Sequence, residues 1–435
     1  MKRIPVMVLL TTVTLSLLVS GAMGRMTAPG KKAFQETTKT VVLRAARMLD
    51  VQTGRIIQPA VIVIEKDRIK SVNPTSVPQG QVIDLGDVTL LPGFIDTHTH
   101  LSFDFDGTWL YRPVTDTAGD YALRGARNAR ITLLAGFTTV RDVGSAHFVD
   151  VALMRAIDRE FVPGPHIFPA GHSIGITGGH CDTTGFAPGV TERGPETGVA
   201  DGPDAALKAV RYQIKHGAKV IKICATAGVL SLEGPVGAQQ LSETEMRTIV
   251  EEAKRHGVKV AAHAHGTEGI IAAVRAGVDS IEHGSMLNDE AIRLMKERGV
   301  YLVPTTYVAD AIRLDALPPS IRAKAEYVIP LAKQSVQRAI RAGVKIAFGT
   351  DAAVIPHGQN AKEFGALVAR GMSPIDAIRT ATVNAADLLG VSDRGHIAPG
   401  LLADLVAVPG NPLDNVRVLE DVRFVMKGGQ IYKRP

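Results

Sequence analysis

The chain has 435 residues, of which 49 are Lys or Arg, 43 are Asp or Glu and two are Cys, and 45% are hydrophobic. This composition excludes a disordered, collagen-like or disulfide-stapled protein. The formal charge of +6 is small and the basic residues are dispersed, while aromatic residues make up only 5%, so we predict no nucleic-acid partner. The length allows one large α/β domain with an attachment, or roughly two to three smaller domains.

The N-terminal segment has the features of a secretory signal peptide. Two basic residues follow Met1, residues 6–19 are mostly apolar, and small residues stand at the cleavage position near Gly24. The apolar stretch is shorter than the ~20 residues of a membrane span. We therefore expect residues 1–24 to be cleaved and the protein to be exported, to the periplasm or out of the cell, without a stable membrane anchor.

The two cysteines raise a separate question, because an exported protein enters an oxidising compartment. Cys181 lies in a glycine-rich loop and Cys224 in an apolar strand-like run. A single bridge would add little to so large a core, and neither cysteine has a reactive motif around it. We therefore predict two unpaired, unreactive cysteines.

The residue pattern changes near Pro92. Residues 39–90 form short alternating runs separated by turn residues, which is typical of β-strands. The next part alternates helical segments with eight β-rich runs: GFIDTHTHL, FTTVRDVG, HIFPAG, KVIKICATAG, KVAAHAHG, SIEHGS, YLVPTTY and KIAFGTD. Such a pattern predicts a (β/α)8 barrel over residues 91–395; the alternative, an open doubly wound sheet, often carries a glycine-rich phosphate loop that is absent here. Residues 396–435 return to strand-like patterns, so the two chain ends could pair in one small β domain.

Histidines and a carboxylate stand at the ends of several predicted barrel strands. His98 and His100 are two residues apart at the end of the first run, which places both rings on one face, although such a pair alone is a weak signal. His263, His283 and Asp351 end the fifth, sixth and eighth runs. Because the carboxyl ends of barrel strands meet at one mouth, we predict a metal site there.

Lys222 lies in the middle of the apolar run KVIKICA, where a parallel barrel strand is buried on both faces. A buried lysine needs a partner or a reason to be neutral. A neutral amine could add carbon dioxide to become a carbamate, whose two oxygens could bridge two metal ions. The alternative is a salt bridge from Lys222 to Asp96 or Asp142.

Together these motifs resemble the amidohydrolase superfamily. The segments LPGFIDTHTH, KVIKICATAG, AAHAHG, IEHG, FGTD and ADLVAVPGNPL occur in the order typical of its imidazolonepropionase-related branch, which includes Xaa-Pro dipeptidases, carboxypeptidases and hydrolases of ochratoxin A. The resemblance spans nearly the whole chain after residue 39. It implies a composite β-sandwich domain, formed by residues 39–90 and 396–435, beside a TIM barrel.

The resemblance also implies two divalent metal ions, usually zinc. Its motifs assign six ligands: His98, His100 and Asp351 for the more buried ion, His263 and His283 for the other, and carboxylated Lys222 between them. Asp351 is expected to take the proton of the attacking water and pass it to the leaving amine.

Further positions are expected to contact the substrate. His265 is a candidate to hold the developing oxyanion, although some relatives carry tyrosine at this place. His180, Tyr307 and His357 lie in loops predicted to overhang the barrel mouth, with ordinary loop hydrogen bonding as the alternative for each. Relatives are often homo-oligomers, so self-association is also expected.

The expected charge of the site narrows the substrate class. Two divalent ions offset by carbamate, carboxylate and hydroxide leave a slightly positive pocket, which suits a substrate with a free carboxylate. Dipeptides and N-acyl amino acids fit, including ochratoxin A, which would yield ochratoxin α and phenylalanine. The alternatives are a cyclic-amide hydrolase resembling imidazolonepropionase, a deaminase, or an exported metal- or ligand-binding protein without activity.

Overall fold

The computed structural model describes residues 40–435. The predicted signal peptide therefore lies outside the described residues. Within residues 40–435, no helix is both long enough and apolar enough to cross a bilayer.

The first part of the described chain consists of short strands. They are β1 (Thr40–Ala45), β2 (Arg47–Asp50), β3 (Arg55–Ile57), β4 (Ala60–Glu65), β5 (Arg68–Val72), β6 (Gln81–Asp84) and β7 (Val88–Pro92). Four of them form one sheet in the order β5-β4-β1-β6. Leu43, Ile62 and Ile64 lie on one face of this sheet and belong to one buried apolar cluster. Val42 and Val63, on the opposite face, are also fully buried, so the centre of the sheet is covered on both faces.

A second sheet joins the two ends of the described chain. Its C-terminal strands are β15 (Leu405–Pro409), β16 (Phe424–Lys427) and β17 (Gln430–Lys433), and the sheet order is β17-β16-β15-β7-β2-β3. β15 runs antiparallel to β7, with Leu405 opposite Pro92. The predicted pairing of the chain ends is therefore confirmed, whereas the exact domain boundaries stay a prediction.

The segment between these ends alternates strands and helices. Its strands are β8 (Phe94–Thr99), β9 (Phe137–Asp142), β10 (His166–Pro169), β11 (Val220–Cys224), β12 (Lys259–Ala264), β13 (Ser280–His283) and β14 (Tyr301–Val303). They form two parallel sheets, β10-β9-β8 and β11-β12-β13-β14. An isolated parallel bridge between Ile174 and Ile223 links the chain after β10 to β11.

Helices connect these strands. They are α1 (Arg112–Thr115), α2 (Ala118–Leu134), α3 (Val149–Asp158), α4 (Pro203–His216), α5 (Glu243–Arg255), α6 (Thr267–Ala276), α7 (Asp289–Arg298), α8 (Val308–Ala311), α9 (Pro319–Ala342), α10 (Lys362–Ala369), α11 (Pro374–Thr380) and α12 (Val383–Leu389). Short 3-10 turns lie at Pro195–Thr197, Leu314–Ala316 and Val416–Glu420. Gly277 after α6 and Gly343 after α9 adopt φ values of 99° and 72°. In both junctions a glycine therefore supplies the left-handed residue at which the helix ends.

The eighth predicted run, KIAFGTD, differs from the other seven because it forms no regular strand. Ile346 makes an isolated parallel bridge to Leu302 on β14, and the Phe348 carbonyl accepts a hydrogen bond from Thr97 N on β8. The segment thus contacts both neighbouring strands without a continuous ladder. It ends at Asp351, whose left-handed backbone, with φ 56°, ends the extended conformation.

Candidate metal centre

Five histidines and one aspartate converge where the parallel strands end. His98 lies on β8 and His263 on β12, His283 ends β13, and His100 and His265 directly follow their strands. Two groups bring their ligand atoms within 4.8 Å of one another: His98, His283 and Asp351, and His263, His265 and His283. A cavity of about 650 Å³ opens over these side chains.

His98 and His100 direct the same ring nitrogen at one carboxylate oxygen. The distances from Asp351 Oδ1 are 3.5 Å to His98 Nε2 and 3.6 Å to His100 Nε2. Ligand atoms about 2.1 Å from a tetrahedral zinc ion are roughly 3.4 Å apart. The Nδ1 of His100 lies 3.0 Å from the Gly144 carbonyl, which requires the proton on Nδ1 and leaves Nε2 free to bind a metal.

Behind His98 lies a carboxylate that the sequence analysis did not single out. Glu282 Oε2 is 2.7 Å from His98 Nδ1, and Glu282 Oε1 accepts hydrogen bonds from Arg141 Nη2 at 2.8 Å and Ser280 Oγ at 2.5 Å. Both Glu282 and Arg141 are buried. A carboxylate behind a ligating imidazole fixes its tautomer and raises its basicity. The only sequence signal was an acidic residue inside the buried run SIEHGS.

Two histidines of the second group have a hydroxyl group, rather than a carboxylate, beside Nδ1. His283 Nδ1 lies 2.8 Å from Thr305 Oγ1, and His265 Nδ1 lies 2.7 Å from Ser285 Oγ. His263 Nε2 is buried and makes no hydrogen bond to any residue in the described range. A buried nitrogen without a partner is destabilising unless a ligand satisfies it. The donor set therefore suits a divalent metal ion, and His265 lies among the candidate ligands as well as facing the cavity.

Burial keeps these imidazoles neutral. It lowers the pKa of His100 and of His265 to about 3, and it lowers the pKa values of His98, His263 and His283 well below the usual range. The positive charge of Lys222 adds to this effect at each ring. Neutral imidazole is the form that binds zinc, so the site needs no deprotonation of histidine at neutral pH.

Lys222 lies on β11 and is buried, with 4% of its surface exposed. Burial lowers the pKa of its amine to about 8, and the opposing influence of Glu282 and Asp351 keeps it from falling further. No ion pair joins Lys222 to Asp96 or Asp142 within residues 40–435, although the charge of Asp142 helps to raise the pKa of Lys222. Asp96 accepts hydrogen bonds from Thr350 and Asn360, and Asp142 Oδ2 accepts one from Leu101 N.

Three residues of the site have a strained backbone. The φ angles of His283, Thr305 and Asp351 are 69°, 46° and 56°, in the left-handed region that residues other than glycine rarely adopt. Each such residue costs about 1–3 kcal/mol and persists where the surroundings impose it, commonly at functional sites. The side chains of His283 and Thr305 are also hydrogen-bonded to each other, so the two residues with strained backbones are in direct contact.

The prediction of unpaired cysteines is wrong. Cys181 and Cys224 form a disulfide, with their Cα atoms 5.8 Å apart. Cys224 is the last residue of β11 rather than an interior one, and the glycine-rich loop after β10 folds over this strand end. The bridge thus ties the loop that carries Cys181 to the strand that carries Lys222.

His180, next to Cys181, lies in the cavity as predicted for a substrate contact. Its ring stacks on His263 with 4.1 Å between centroids, and its Nδ1 is 2.8 Å from Ser231 Oγ. Glu233 lies 3.3 Å from the same nitrogen. Burial alone would raise the pKa of Glu233, but the hydrogen bonds of His180 and Ser231 lower it to about 2. His180 is therefore held beside a permanent negative charge and over a candidate ligand.

Tyr307 and His357 are placed differently from the expectation. The cavity walls within residues 40–435 do not include either side chain. The Tyr307 backbone N–H donates to Glu363, and its ring lies 5.5 Å from Lys362 Nζ. His357 Nε2 is 3.1 Å from the Phe103 carbonyl. For these two residues the structure shows the ordinary loop contacts that were the alternative.

Comparison with known proteins decides the family. The profile of the amidohydrolase family matches residues 89–432. The chain belongs to the amidohydrolase family. This amidohydrolase is a hydrolase that acts on amide bonds.

Individual relatives are similar over most of the amidohydrolase. Ochratoxinase of Aspergillus niger is 36% identical over 373 residues, which cover 80% of this chain and 76% of that protein. A crystal structure of an Xaa-Pro dipeptidase with methionine bound in its active site is 39% identical, has a TM-score of 0.87 and covers 91% of this chain and 100% of that chain. A prolidase complexed with N-methylphosphonate-L-proline is 35% identical, with a TM-score of 0.83 and the same coverage.

Proposed function

We propose that this amidohydrolase uses two divalent metal ions, with zinc as the expected metal, to cleave the amide bond of dipeptides or N-acyl amino acids. One observation carries the proposal: the Nε2 atoms of His98 and His100 converge on Asp351 at 3.5 and 3.6 Å, beside a second group of buried neutral imidazoles. His98, His100 and Asp351 would hold one ion and His263 and His283 the other. Such a pair of metals supplies Lewis-acid polarisation of the carbonyl and lowers the pKa of an attacking water.

Lys222 is proposed to bridge the two ions as a carbamate. The amine is buried among the candidate ligands, and its lowered pKa of about 8 raises the fraction that is neutral at physiological pH. A neutral amine can attack carbon dioxide and lose one proton, which gives an anionic carbamate with two ligating oxygens. This anion would also compensate a positive charge that the metals add to a buried pocket.

The roles of the remaining side chains follow from their positions. Burial raises the pKa of Asp351 to about 6, near the value that favours proton transfer at neutral pH. Asp351 would accept a proton from the attacking water and deliver it to the nitrogen of the leaving amine. His265 faces the cavity, and if its Nδ1 accepts a hydrogen bond from the Ser285 hydroxyl, the neutral ring carries its proton on Nε2 and would donate it to the developing oxyanion. We also propose that the KIAFGTD segment, between β14 and β8, completes a barrel. All of these groups would then lie on the rim formed by the carboxyl ends of its strands.

The candidate substrates are amides whose amine half carries a free carboxylate. The cavity of about 650 Å³ can hold a dipeptide or an aromatic acyl amino acid such as ochratoxin A. The ligands of two similar proteins support this class, because methionine and a proline phosphonate occupy them. Export after cleavage near Gly24 is part of the proposal, and the disulfide supports it since disulfides persist in oxidising compartments. Assembly into homo-oligomers is proposed as well.

The test is a substrate panel with zinc-loaded protein. It contains Xaa-Pro, Xaa-Phe and Xaa-Arg dipeptides, N-acyl amino acids and ochratoxin A, together with an aminated heterocycle and a cyclic amide as probes of the alternatives; product amino acids and ammonia are measured separately. We expect release of a free amino acid without ammonia. Ammonia release from an aminated ring would indicate a deaminase, and ring opening of a cyclic amide would indicate the imidazolonepropionase-like alternative.

A matched pair of variants separates an enzyme from a binding protein. Asp351→Asn is expected to abolish turnover, because an amide cannot accept the proton of the attacking water. Asp289→Asn changes an exposed aspartate on α7 and should leave turnover unchanged. Failure of the wild type on every member of the panel would reject the amide-cleaving function.

A further inference from the structure

One arginine in the cavity wall differs from the other cations there. Four lysine or arginine side chains line the cavity: Arg112, Arg193, Lys222 and Lys333. Arg112 pairs with Asp106, and Lys333 Nζ is 2.8 Å from Asp310. Lys222 belongs to the candidate metal centre. Arg193, by contrast, forms no ion pair with any carboxylate in residues 40–435.

The hydrogen bonds of Arg193 leave part of its guanidinium free. Nη2 donates to the Thr197 carbonyl at 2.7 Å, and Nη1 donates to the Cys181 carbonyl at 3.3 Å and to Thr183 Oγ1 at 3.4 Å. A guanidinium has about five N–H donors, so roughly two remain unused. These partners hold the side chain in place without neutralising its charge.

The carboxylate with the strongest electrostatic influence on Arg193 accepts hydrogen bonds from other groups. Asp182 is the negative group with the largest influence on Arg193, but its oxygens accept hydrogen bonds from Gly178 N at 2.9 Å and Thr183 N at 2.7 Å. Arg193 is half-buried, and this burial lowers the pKa of its guanidinium. A half-buried arginine without a counter-ion is favourable where an anionic ligand completes the site.

Arg193 is also joined to the candidate metal centre by short contacts. Its acceptor Cys181 is bonded to Cys224 at the end of β11 and directly follows His180, whose ring stacks on His263. The positive charge of Arg193 acts on Tyr121 and His172, which also line the cavity. The guanidinium therefore lies in the wall of the cavity that also contains the candidate metal centre.

We propose that Arg193 binds the free carboxylate of the substrate and so makes this amidohydrolase selective for amides of amino acids with an unblocked carboxyl group. The inference rests on the proposed function and adds the residue that determines its substrate class. A planar guanidinium matches a carboxylate in a two-bond geometry that a lysine cannot reproduce.

The test compares N-acetyl-L-phenylalanine with its carboxamide, N-acetyl-L-phenylalaninamide. For the wild type we expect kcat/KM to favour the free acid by about 100-fold, the size expected for charge-assisted hydrogen bonds. Arg193→Met should remove this preference by raising KM for the acid while leaving the carboxamide within about twofold. Arg193→Lys should retain part of the preference. Lys333→Met, which removes a paired cation from the same cavity, is the control and should keep the full preference.

A binding measurement makes the result independent of turnover. Trp109 is the single tryptophan and lines the cavity, so its fluorescence reports on ligands there. L-phenylalanine should bind the wild-type protein more tightly than L-phenylalaninamide, and Arg193→Met should weaken only the former, by about 100-fold. Equal losses for acid and amide, in either assay, would show that Arg193 merely supports its loop and would overturn the proposal. If the wild type cleaves neither compound, the amide-cleaving function fails for this pair, whereas the binding data still decide the role of Arg193.

Discussion

The orientation of His98 depends on a carboxylate that does not face the cavity. Glu282 receives donors on both oxygens, from His98 Nδ1 on one and from Arg141 and Ser280 on the other. With the proton held on Nδ1, the lone pair of His98 Nε2 is directed at Asp351. The metal affinity of the site should therefore depend on Glu282 as much as on a direct ligand.

Replacing Glu282 by Gln tests this dependence. All three partners of Glu282 are donors, and an amide has only one oxygen, so its NH2 group must face either Arg141 or His98. We expect the zinc affinity to fall about 10- to 100-fold, measured by competition with a chromogenic chelator. The control is Glu290→Gln, which changes an exposed glutamate paired with Arg275. Unchanged zinc affinity in a folded Glu282→Gln protein would contradict this role.

The pH dependence of metal binding should reflect Asp351 and Lys222 rather than the histidines. Burial raises the pKa of Asp351 to about 6, so below pH 6 a proton competes with the metal for this carboxylate. The rings of His100 and His265 stay neutral to about pH 3 and release no proton on binding. In titrations from pH 7.5 to 5, zinc affinity should fall by about tenfold per unit down to pH 6, because Lys222 must lose a proton to ligate as a carbamate, and by about a further tenfold per unit below pH 6, where Asp351 also takes up a proton. A steeper decline that starts near the ordinary histidine pKa would refute this account.

The predictability of the site differs from residue to residue. His98, His100, His263 and His283 could be placed from sequence because a strand-end histidine has a known direction once the barrel order is inferred. Glu282 and Arg193 could not, because their roles depend on which distant residues face them. Tyr307 was expected over the cavity for its loop position alone, and loop position does not specify the direction of a side chain.

At the scale of elements, the position of the loop of residues 170–202 depends on one disulfide bond. It carries His180 and Arg193 and is attached to β11 through Cys181 and Cys224. Sequence patterns did not reveal this bond, because the two cysteines are 43 residues apart and their approach depends on how the loop folds over the strand end. Loop backbone of this kind has little regular hydrogen bonding to hold it in place.

Replacing both cysteines by serine should release the loop. We expect the free energy of unfolding to fall by about 2–4 kcal/mol, since the bridge closes a long loop in the unfolded chain. Limited proteolysis should cut within residues 182–192 first, while zinc binding persists because the direct ligands are on other segments. Urea titration and mass mapping of the fragments measure both effects. Wild-type protein treated with a reductant should reproduce the variant, and equal protease resistance with and without the bond would contradict the prediction.

On the scale of the whole molecule, the sheet built from both chain ends continues directly into β8, the first of the parallel strands. Only Gly93 separates β7 from β8, and its N–H donates to the Asp404 carbonyl just before β15. A side chain at this position would come within 2.2 Å of Thr138 on β9, so the junction requires glycine. The alternating strand pattern and the apolar ends predicted this pairing, whereas the irregular eighth segment was not predictable because its shape follows the backbone of Asp351.

Because of this continuity, we predict that the composite sheet and the metal centre unfold together as one cooperative unit. Leu405 is fully buried in the sheet core between Met426 and Pro92, so Leu405→Ala should lower the free energy of unfolding by about 2–5 kcal/mol. Because β7 leads into the strand of His98, the far-UV circular dichroism and the zinc release should change at the same urea concentration in both proteins. The exposed Val82→Ala on β6 is the control and should shift neither signal. Zinc release at a lower urea concentration than the loss of the sheet would show that the metal centre and the composite sheet unfold separately.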